Sequence, residues 1–332
     1  METAAIGIDL GATKIAAALV TGSGQVLAMR HTPTAAAEGP SAVLDRIARL
    51  ANELSAEPAA HPHRLLGIGI GSPGLVDPLA GIVYNAVNLG WEAVPVADEL
   101  RARLQQPLPV WVQKDGNTSA IGEYVFGAAQ NDPDFVFLSI GTGLGGGLMA
   151  AGHLINGANW NATELGHISL DPLHGRQCLC GLRGCAETFI SGPGLLALFK
   201  QMRAAGAAGT DLRAEKVAPR DILRAAHNQD ALALQALAEM GRHVGMVIAF
   251  CAAVTNPSLV VIGGGLGLAA FDLILPSARM ELEIRVLKAS HADLRILSSW
   301  QKSSAVGAAS LAWFFTKKEV GEGSHTRNAA RP

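Results

Sequence analysis

The stretch ELGHISLDPLHGRQCLCGLRGCAE, residues 164–187, holds three of the chain's four cysteines, Cys178, Cys180 and Cys185, in C-x-C-x4-C spacing. His167 stands a short loop upstream. Three thiolates and one imidazole are the closed tetrahedral set that structural zinc prefers, and Gly181 and Gly184 let a tight loop wrap the ion. The spacing departs from the commoner C-x2-C knuckle, and reduced cysteines can also serve as small buried hydrophobes. These three, however, lie in a polar loop with glycines rather than in an apolar run, which favours the metal. The flanking carboxylates Glu164 and Glu187 bind zinc less well than thiolates do. Their better use is to grip another group that the loop positions.

Working outward, the segment before this loop runs Phe135 to Ile140, a buried strand, into Gly141-Thr142-Gly143-Leu144-Gly145-Gly146-Gly147 and then Leu148 to Ala150. The chain opens with the same design about 130 residues earlier: strand, glycine turn with a threonine, strand. There the turn is Asp9-Leu10-Gly11-Ala12-Thr13-Lys14. Backbone N–H groups at a glycine turn make an anion-binding concavity, and a hydroxyl and an ammonium beside them suit a phosphate chain. A plain hairpin with small turn residues would use the same letters. Two such bends, one per half, would serve one nucleotide. Gly141, Gly143 and Gly146 also fit G-x-G-x-x-G, as do Gly69, Gly71 and Gly74. A dinucleotide fingerprint must open a helix, and neither match does, since a strand follows Gly146 and Pro78 follows Gly74 closely.

Between the hairpins, Ser41 to Ser55 has apolar residues at helical spacing, and Leu65 to Ile70 is a buried strand ending in Gly71-Ser72-Pro73-Gly74. Asn85 to Trp91 reads as a polar loop and Val96 to Leu104 as a helix. A short strand, Val110 to Gln113, delivers Lys114-Asp115-Gly116-Asn117 to a helix from about Thr118 to Phe126. A carboxylate at a strand end is a common place for chemistry in α/β folds, although capping the helix is the ordinary role of Asp115 or Asn117. Beyond the cysteine loop, helices are expected over Gly192 to Ala205, Pro219 to Ala226 and Ala231 to Val254, the last apolar on most faces. Leu259 to Ile262 is a strand, and Gly263-Gly264-Gly265 after it could admit a flat purine against backbone, or simply form a turn. A helix over Phe271 to Leu287, a strand over Leu294 to Leu297 and a helix over Ser304 to Phe315 complete the reading.

Composition bounds the function. A chain of 332 residues with 49% hydrophobic content has room for two domains. A net charge of −2 with only 16% charged residues recommends no nucleic-acid partner. Four cysteines, one of them the isolated Cys251, fit a reducing cytoplasm rather than a disulfide scaffold. The start METAAIGIDLG shows no basic signal region, and no apolar run reads as a membrane span.

Taken together these segments resemble the ROK family of bacterial sugar kinases and related repressors, over about residues 5 to 315. The ELGH…CLCGLRGCAE block carries most of the likeness, joined by IDLGATK, GSPG, LSIGTGLGGG and NPSLVVIGGG. The resemblance implies an α/β, two-domain actin-like ATPase (ribonuclease H-like) fold, with a cleft between the domains and a zinc-binding loop. Residues 1–115 would form one domain, completed by a C-terminal helix at about 303–316. Residues 116–302 would form the other, and 317–332 a disordered tail. The two hairpins become the phosphate loops, with Asp9, Gly11, Thr13, Lys14, Gly141, Thr142 and Gly143 on the phosphates and Gly263, Gly264 and Gly265 at the purine. Asp115 matches the general base, and Gly74, Asn88, Glu164, His167 and Glu187 match sugar contacts. His167 would use one ring nitrogen for zinc and the other for the sugar, a ligation that fixes its tautomer. Implied cofactors are ATP, Mg²⁺ and structural Zn²⁺.

Three departures stand out. The family's usual Asn before the catalytic Asp is Lys114, the usual Ala after it is Gly116, and the glycine-rich approach to E-x-G-H has become Trp160-Asn161-Ala162-Thr163. The expected activity is therefore ATP-dependent hexose phosphorylation, glucokinase-like, with an N-acetylhexosamine, mannose or fructose as alternative substrates. A non-catalytic sugar-binding or regulatory ROK protein is the rival. The repressors carry a helix-turn-helix before the DLG strand, for which a strand beginning at about residue 4 leaves no room. A symmetric homodimer is the ordinary expectation for such a chain.

Overall fold

The computed structural model describes residues 2–207, 209–210, 212, 217–301 and 303–322, the last six by backbone alone. The chain divides into two compact units. One comprises Met1–Asn131, Asn156–Ala162 and the C-terminal segment from Gln301; the other comprises Asp132–Ile155 and Thr163–Trp300.

The first unit begins with an antiparallel meander, β1 (Thr3–Leu10), β2 (Lys14–Thr21) and β3 (Val26–Pro33). Helix α1 (Gly39–Ser55) then crosses over to β4 (Arg64–Ser72), which pairs parallel to β1. A small sheet follows, β5 (Leu75–Asp77), β6 (Ile82–Ala86) and β7 (Trp91–Val94), and the expected polar loop Asn85–Trp91 is largely the turn between β6 and β7. Strands this short carry too little alternation to be seen. Helix α2 (Val96–Arg101), strand β8 (Val110–Lys114) and helix α3 (Asp115–Val125) complete the stretch, and the main sheet runs β3-β2-β1-β4-β8. The alternate residues Ile6, Ile8 and Leu10 of β1 pack with Val43, Ile47 and Leu54 of α1 into a core on one face.

The second unit repeats the plan. Strands β9 (Phe135–Ile140), β10 (Leu144–Ala150) and the two-residue β11 (His153–Leu154) form a meander. The cysteine loop and helices α4 (Gly192–Ala204), α5 (Pro219–His227) and α6 (Ala231–Thr255) lead to β12 (Leu259–Gly263). Helix α7 (Gly265–Glu283) and strand β13 (Arg295–Ser298) close a sheet of order β11-β10-β9-β12-β13. Sequence and structure agree on α6 because both its ends are marked. Asp230 accepts the Ala233 N–H at 2.9 Å, and Asn256 ends the helix in the left-handed region. Among the described residues α6 is the one helix long and apolar enough to cross a membrane by length and composition, but more than half of that span is buried inside this unit. Helix α7 starts six residues before its expected start at Phe271, because its first turn, Gly265-Leu266-Gly267-Leu268, alternates glycine with leucine and so hides the helical period.

The chain then returns to the first unit. Helix α8 (Ser304–Glu322) lies on the opposite face of the first sheet from α1. Its alanines meet strand glycines: a Cβ at Gly7 would fall 1.9 Å from Ala305 O, and one at Gly69 1.9 Å from Ala308 O. So Gly69 serves helix packing and not a dinucleotide. The buried Glu123 of α3 accepts the Gln301 N–H at 3.2 Å and thereby fixes where the returning chain enters. Helix α8 continues through Glu322, so the first residues of the expected disordered tail are helical, and the remainder of that expectation lies outside the described residues.

Candidate active site and metal-binding loop

In the first unit the parallel strands β1, β4 and β8 end side by side. Asp9 pairs with Gly71, Gly71 with Gln113, and Ser72 with Lys114, so Asp9 and Asp115 share one end of the sheet. Asp115 is the first residue of α3 and exposed; its Oδ1 accepts the Gly116 N–H at 2.7 Å. Lys114, not Asp115, holds the N-cap position, and its side chain makes no capping hydrogen bond. Asp9 is half-buried, and its carboxyl is pushed up from 3.8 to about 6. Burial is the main cause and the charge of Asp115 the second, while the Ser304 hydroxyl and Lys14 pull the other way. The β1–β2 turn carries Gly11, Thr13 and Lys14. It is fastened by Thr34, whose hydroxyl donates to Gly11 O at 2.6 Å and whose N–H donates to Thr13 O at 3.0 Å. Thr13 and Lys14 themselves are exposed.

Gly74 and Asn88 sit on the small sheet. Gly74 has φ +89°, and a Cβ there would fall 2.7 Å from Tyr84 O, so the turn requires glycine whatever binds nearby. Asn88 is exposed on the 3-10 turn between β6 and β7.

In the second unit the β9–β10 turn, Gly141-Thr142-Gly143, is closed by the Gly141 N–H donating to Gly143 O at 2.9 Å, with Thr142 exposed at its tip. Nothing lies within 4 Å of a Cβ placed on Gly141 or Gly145, which leaves that side of the turn open. The triple glycine divides by role. A Cβ on Gly263 would meet the Phe137 ring at 2.7 Å and one on Gly264 would meet Ile140 O at 2.4 Å, while Gly265 faces open space at the start of α7. Two of the three are therefore demanded by packing inside the sheet. Only Gly265 keeps the expected open approach to backbone.

The cysteine loop brings its four ligand atoms within 4.8 Å of one another. Cys180 and Cys185 sulfurs lie 3.6 Å apart, and Cys178 Sγ lies 3.9 Å from His167 Nδ1. A tetrahedron with Zn–S bonds of about 2.3 Å has edges of roughly 3.8 Å, close to these two separations, so the set fits zinc with at most a slight tightening. Burial pushes the Cys185 thiol up to about 12, whereas the Leu182 backbone N–H lowers that of Cys180. A divalent cation supplies the charge that would let both be thiolates. With Nδ1 on the sulfur side, His167 turns Nε2 to Glu164, 3.8 Å from Oε2. Glu187 follows Cys185 on a 3-10 turn, and its Oε2 accepts the Leu144 N–H at 3.0 Å.

Three features escaped the sequence. Ser304 reaches Asp9 from the far end of the chain, where no local pattern could announce it. An amide cluster backs the Asp115 helix: Gln113 Nε2 donates to Asn156 Oδ1 at 3.1 Å and Asn117 Nδ2 to Gln113 Oε1 at 3.1 Å. The third is backbone strain. Trp160 and Thr163, which stand where the approach to Glu164 departs from glycine, have φ of +59° and +65°.

Residues 5–313 match the model of the ROK family. The glucokinase of Halalkalibacterium halodurans is 31% identical over 326 residues, 95% of either chain. Among solved structures, a ROK family glucokinase from Streptomyces griseus in complex with glucose and AMPPNP is 33% identical with a TM-score of 0.75, over 93% of this chain and 99% of that one. A ROK family transcriptional regulator, a homolog of the E. coli MLC protein, is 29% identical with a TM-score of 0.82, over 93% of this chain and 77% of that one. A match of this extent, on two units with duplicated sheets and a Cys₃His loop, makes this chain a member of the ROK family.

Proposed function

We propose that the protein is an ATP-dependent hexose kinase of the glucokinase type. The observation that carries this is the pairing of Asp9 and Asp115 at the parallel-strand ends beside the Lys14 turn. A carboxylate kept partly protonated by a like charge and by burial wants a cation, and magnesium arriving with the nucleotide phosphates would supply it. In the first unit, Asp115 takes the proton from the attacking sugar hydroxyl. That oxygen bonds to the γ-phosphorus while the bond to the ADP oxygen breaks. Lys14, Thr13 and the Gly11 turn hold the phosphates. Gly74 and Asn88 contribute to sugar contact.

In the second unit, Glu164, His167 and Glu187 accept or donate to sugar hydroxyls, the Gly141–Gly143 turn receives phosphate, and the Gly263–Gly265 segment receives the purine. His167, Cys178, Cys180 and Cys185 would hold zinc, which leaves no open position for chemistry and keeps the loop in shape. The ROK glucokinase solved with glucose and AMPPNP supports sugar and ATP as the ligand classes.

The test is ATP consumption over a panel of glucose, mannose, fructose, N-acetylglucosamine and N-acetylmannosamine. At least one sugar should be turned over, and Asp115→Asn should lower kcat by about 10²–10⁴ while nucleotide binding survives. Near-normal turnover in that variant would remove Asp115 from the chemistry. A second reading, a sugar-responsive regulator, draws on the likeness to the transcriptional regulator and on Lys114 where the family has Asn. Sugar binding with no ATP consumption across the whole panel would favour it.

A further inference from the structure

The Gly141–Leu144 turn is held from both sides by the segment that follows Cys185. On one side Glu187 Oε2 accepts the Leu144 N–H at 3.0 Å. Contact there is tight: a Cβ added at Gly143 would lie 2.4 Å from the same oxygen. On the other side the Gly192 N–H donates to Gly141 O at 2.8 Å. These anchors are joined, because the Ser191 hydroxyl donates to Glu187 O at 2.7 Å while also capping α4. Gly166, beside His167, presses on the same place, since a Cβ there would fall 2.4 Å from Leu144 O. The corresponding turn of the first unit is fastened instead by Thr34 and by its own Gly11 N–H donating to Lys14 O at 3.0 Å.

We propose that Glu187 is a positioning residue for the Gly141–Leu144 turn, and that through it sugar and nucleotide reinforce one another's binding. This rests on the sugar-kinase reading and adds a coupling to it. The carboxylate uses Oε2 for the turn, and its other oxygen has no hydrogen-bond partner among the described residues. A sugar hydroxyl on that second oxygen fixes the torsion of the side chain, and so fixes the acceptor that orients Leu144. The reverse holds equally. A phosphate that orders the turn sets the carboxylate in place before the sugar arrives. Thermodynamic linkage makes the two effects equal in size. The ordinary role, a carboxylate that only binds sugar, predicts no effect on nucleotide.

The experiment has two arms on the full-length, metal-loaded protein. The first needs no ligand. Gly143→Ala should lower Tm in the native background and lose most of that effect in the Glu187→Ala background, because the clash partner is gone. Additive Tm changes would overturn the contact. The second arm measures the Kd of AMPPNP by calorimetry with and without a saturating sugar, glucose or whichever panel sugar is turned over fastest. In the native protein the sugar should tighten AMPPNP by about five-fold or more, and Glu187→Ala should bring that factor close to one. A variant that binds sugar weakly yet keeps the full mutual effect at saturation would overturn the proposal. So would a native protein in which both ligands bind independently, which would leave the kinase reading standing; binding of neither ligand would take down both. Should Glu187→Ala not fold, Gly143→Ala carries the same test, since it must weaken sugar as well as AMPPNP.

Discussion

The two five-stranded sheets follow one order, three antiparallel strands and then two parallel ones, yet their leading hairpins have been finished differently. The first ends in charge: Asp9 on the strand, Lys14 on the turn, Asp115 two strands away. The second has no ionisable residue between Ser139 and Leu148, and its turn leans on Glu187 in the shadow of the cysteine loop. The first hairpin is fastened by Thr34, just past its own meander, the second by the segment that carries the Cys₃His loop between β11 and α4. One backbone plan thus supports two kinds of turn, one set among charged side chains and one of neutral backbone shaped by a neighbouring loop. The asymmetry can be broken from either side.

The largest effect should come from removing the second hairpin's outside support. Cys180→Ser deletes a metal ligand, and even outer partners of a metal site are worth about 10–100-fold in affinity, so zinc should be largely lost. Glu187 sits two residues past the ligand Cys185. Sugar KM should therefore rise and Tm should fall, with the Lys14 turn of the first unit unaffected. Elemental analysis is the direct check. Less than about half an equivalent of zinc in native protein never exposed to chelator would undo the metal assignment.

Next comes the first hairpin's charge. The Asp9 carboxyl sits at about 6 in the folded protein against an ordinary 3.8. Between those values the folded state holds a proton that the unfolded chain has released. Stability from this group therefore falls as pH rises through that window and is level above about pH 6. Asp9→Asn removes the penalty, so the variant should be more stable than the native protein at pH 8 by roughly 1–3 kcal/mol. The gain should shrink to nothing near pH 4, and phosphoryl transfer should be lost throughout. Urea unfolding at both pH values reads the difference; equal stability at pH 8 would mean that Asp9 bears no such cost.

Much of this contrast was legible in the letters. The cysteine loop declares itself because its ligands are close in sequence and chemically unusual. Both hairpins do so because glycine turns between apolar strands are short-range patterns. What stayed hidden is what the chain joins across distance. Ser304 meets Asp9, and Asn156 meets the Gln113 and Asn117 amides, only after α8 and the loop at 156–162 have returned to the first unit. The triple glycine carries two readings at once. Its letters suggested a ligand, and the Phe137 ring and the Ile140 backbone separately require Gly263 and Gly264. A glycine looks the same in sequence whether a ligand or a neighbouring side chain claims the space.

A smaller effect is expected at Lys114, which ends β8 beside Asp115 and adds a second lysine, after Lys14, to the charged end of the first sheet. Asn offers a hydroxyl both a donor and an acceptor, and Lys offers donors only. Losing one hydrogen bond costs about 1–3 kcal/mol, or roughly 5- to 150-fold in kcat/KM. Lys114→Asn should therefore improve glucose phosphorylation at least several-fold, toward the lower end of that range. Efficient glucose turnover in the native enzyme, unchanged by the substitution, would show that Lys114 does not set specificity.

The smallest effect concerns how each unit makes its sharp turns. In the first, Gly74 takes a φ of +89° at no steric cost. In the second, Thr163 holds +65° immediately before Glu164, and a β-branched side chain there costs about 1–2 kcal/mol. Part is returned by its hydroxyl, which donates to Gly146 O on β10 at 3.3 Å, a long bond. Thr163→Gly relieves the strain, gives up that bond and adds freedom to the unfolded chain worth about 0.5–1 kcal/mol. The terms nearly cancel, and a net gain of about 0.5 kcal/mol would raise Tm by roughly 1–2 °C. Strain that persists next to a carboxylate proposed to grip the sugar points to a use, here the orientation of Glu164 toward His167 Nε2. The variant should therefore be slightly more stable and yet a few-fold poorer in kcat/KM for its sugar, with ATP parameters unchanged. A drop in Tm would mean that the hydroxyl tie to β10 outweighs the strain. Unchanged kinetics would mean that the left-handed Thr163 is tolerated rather than used.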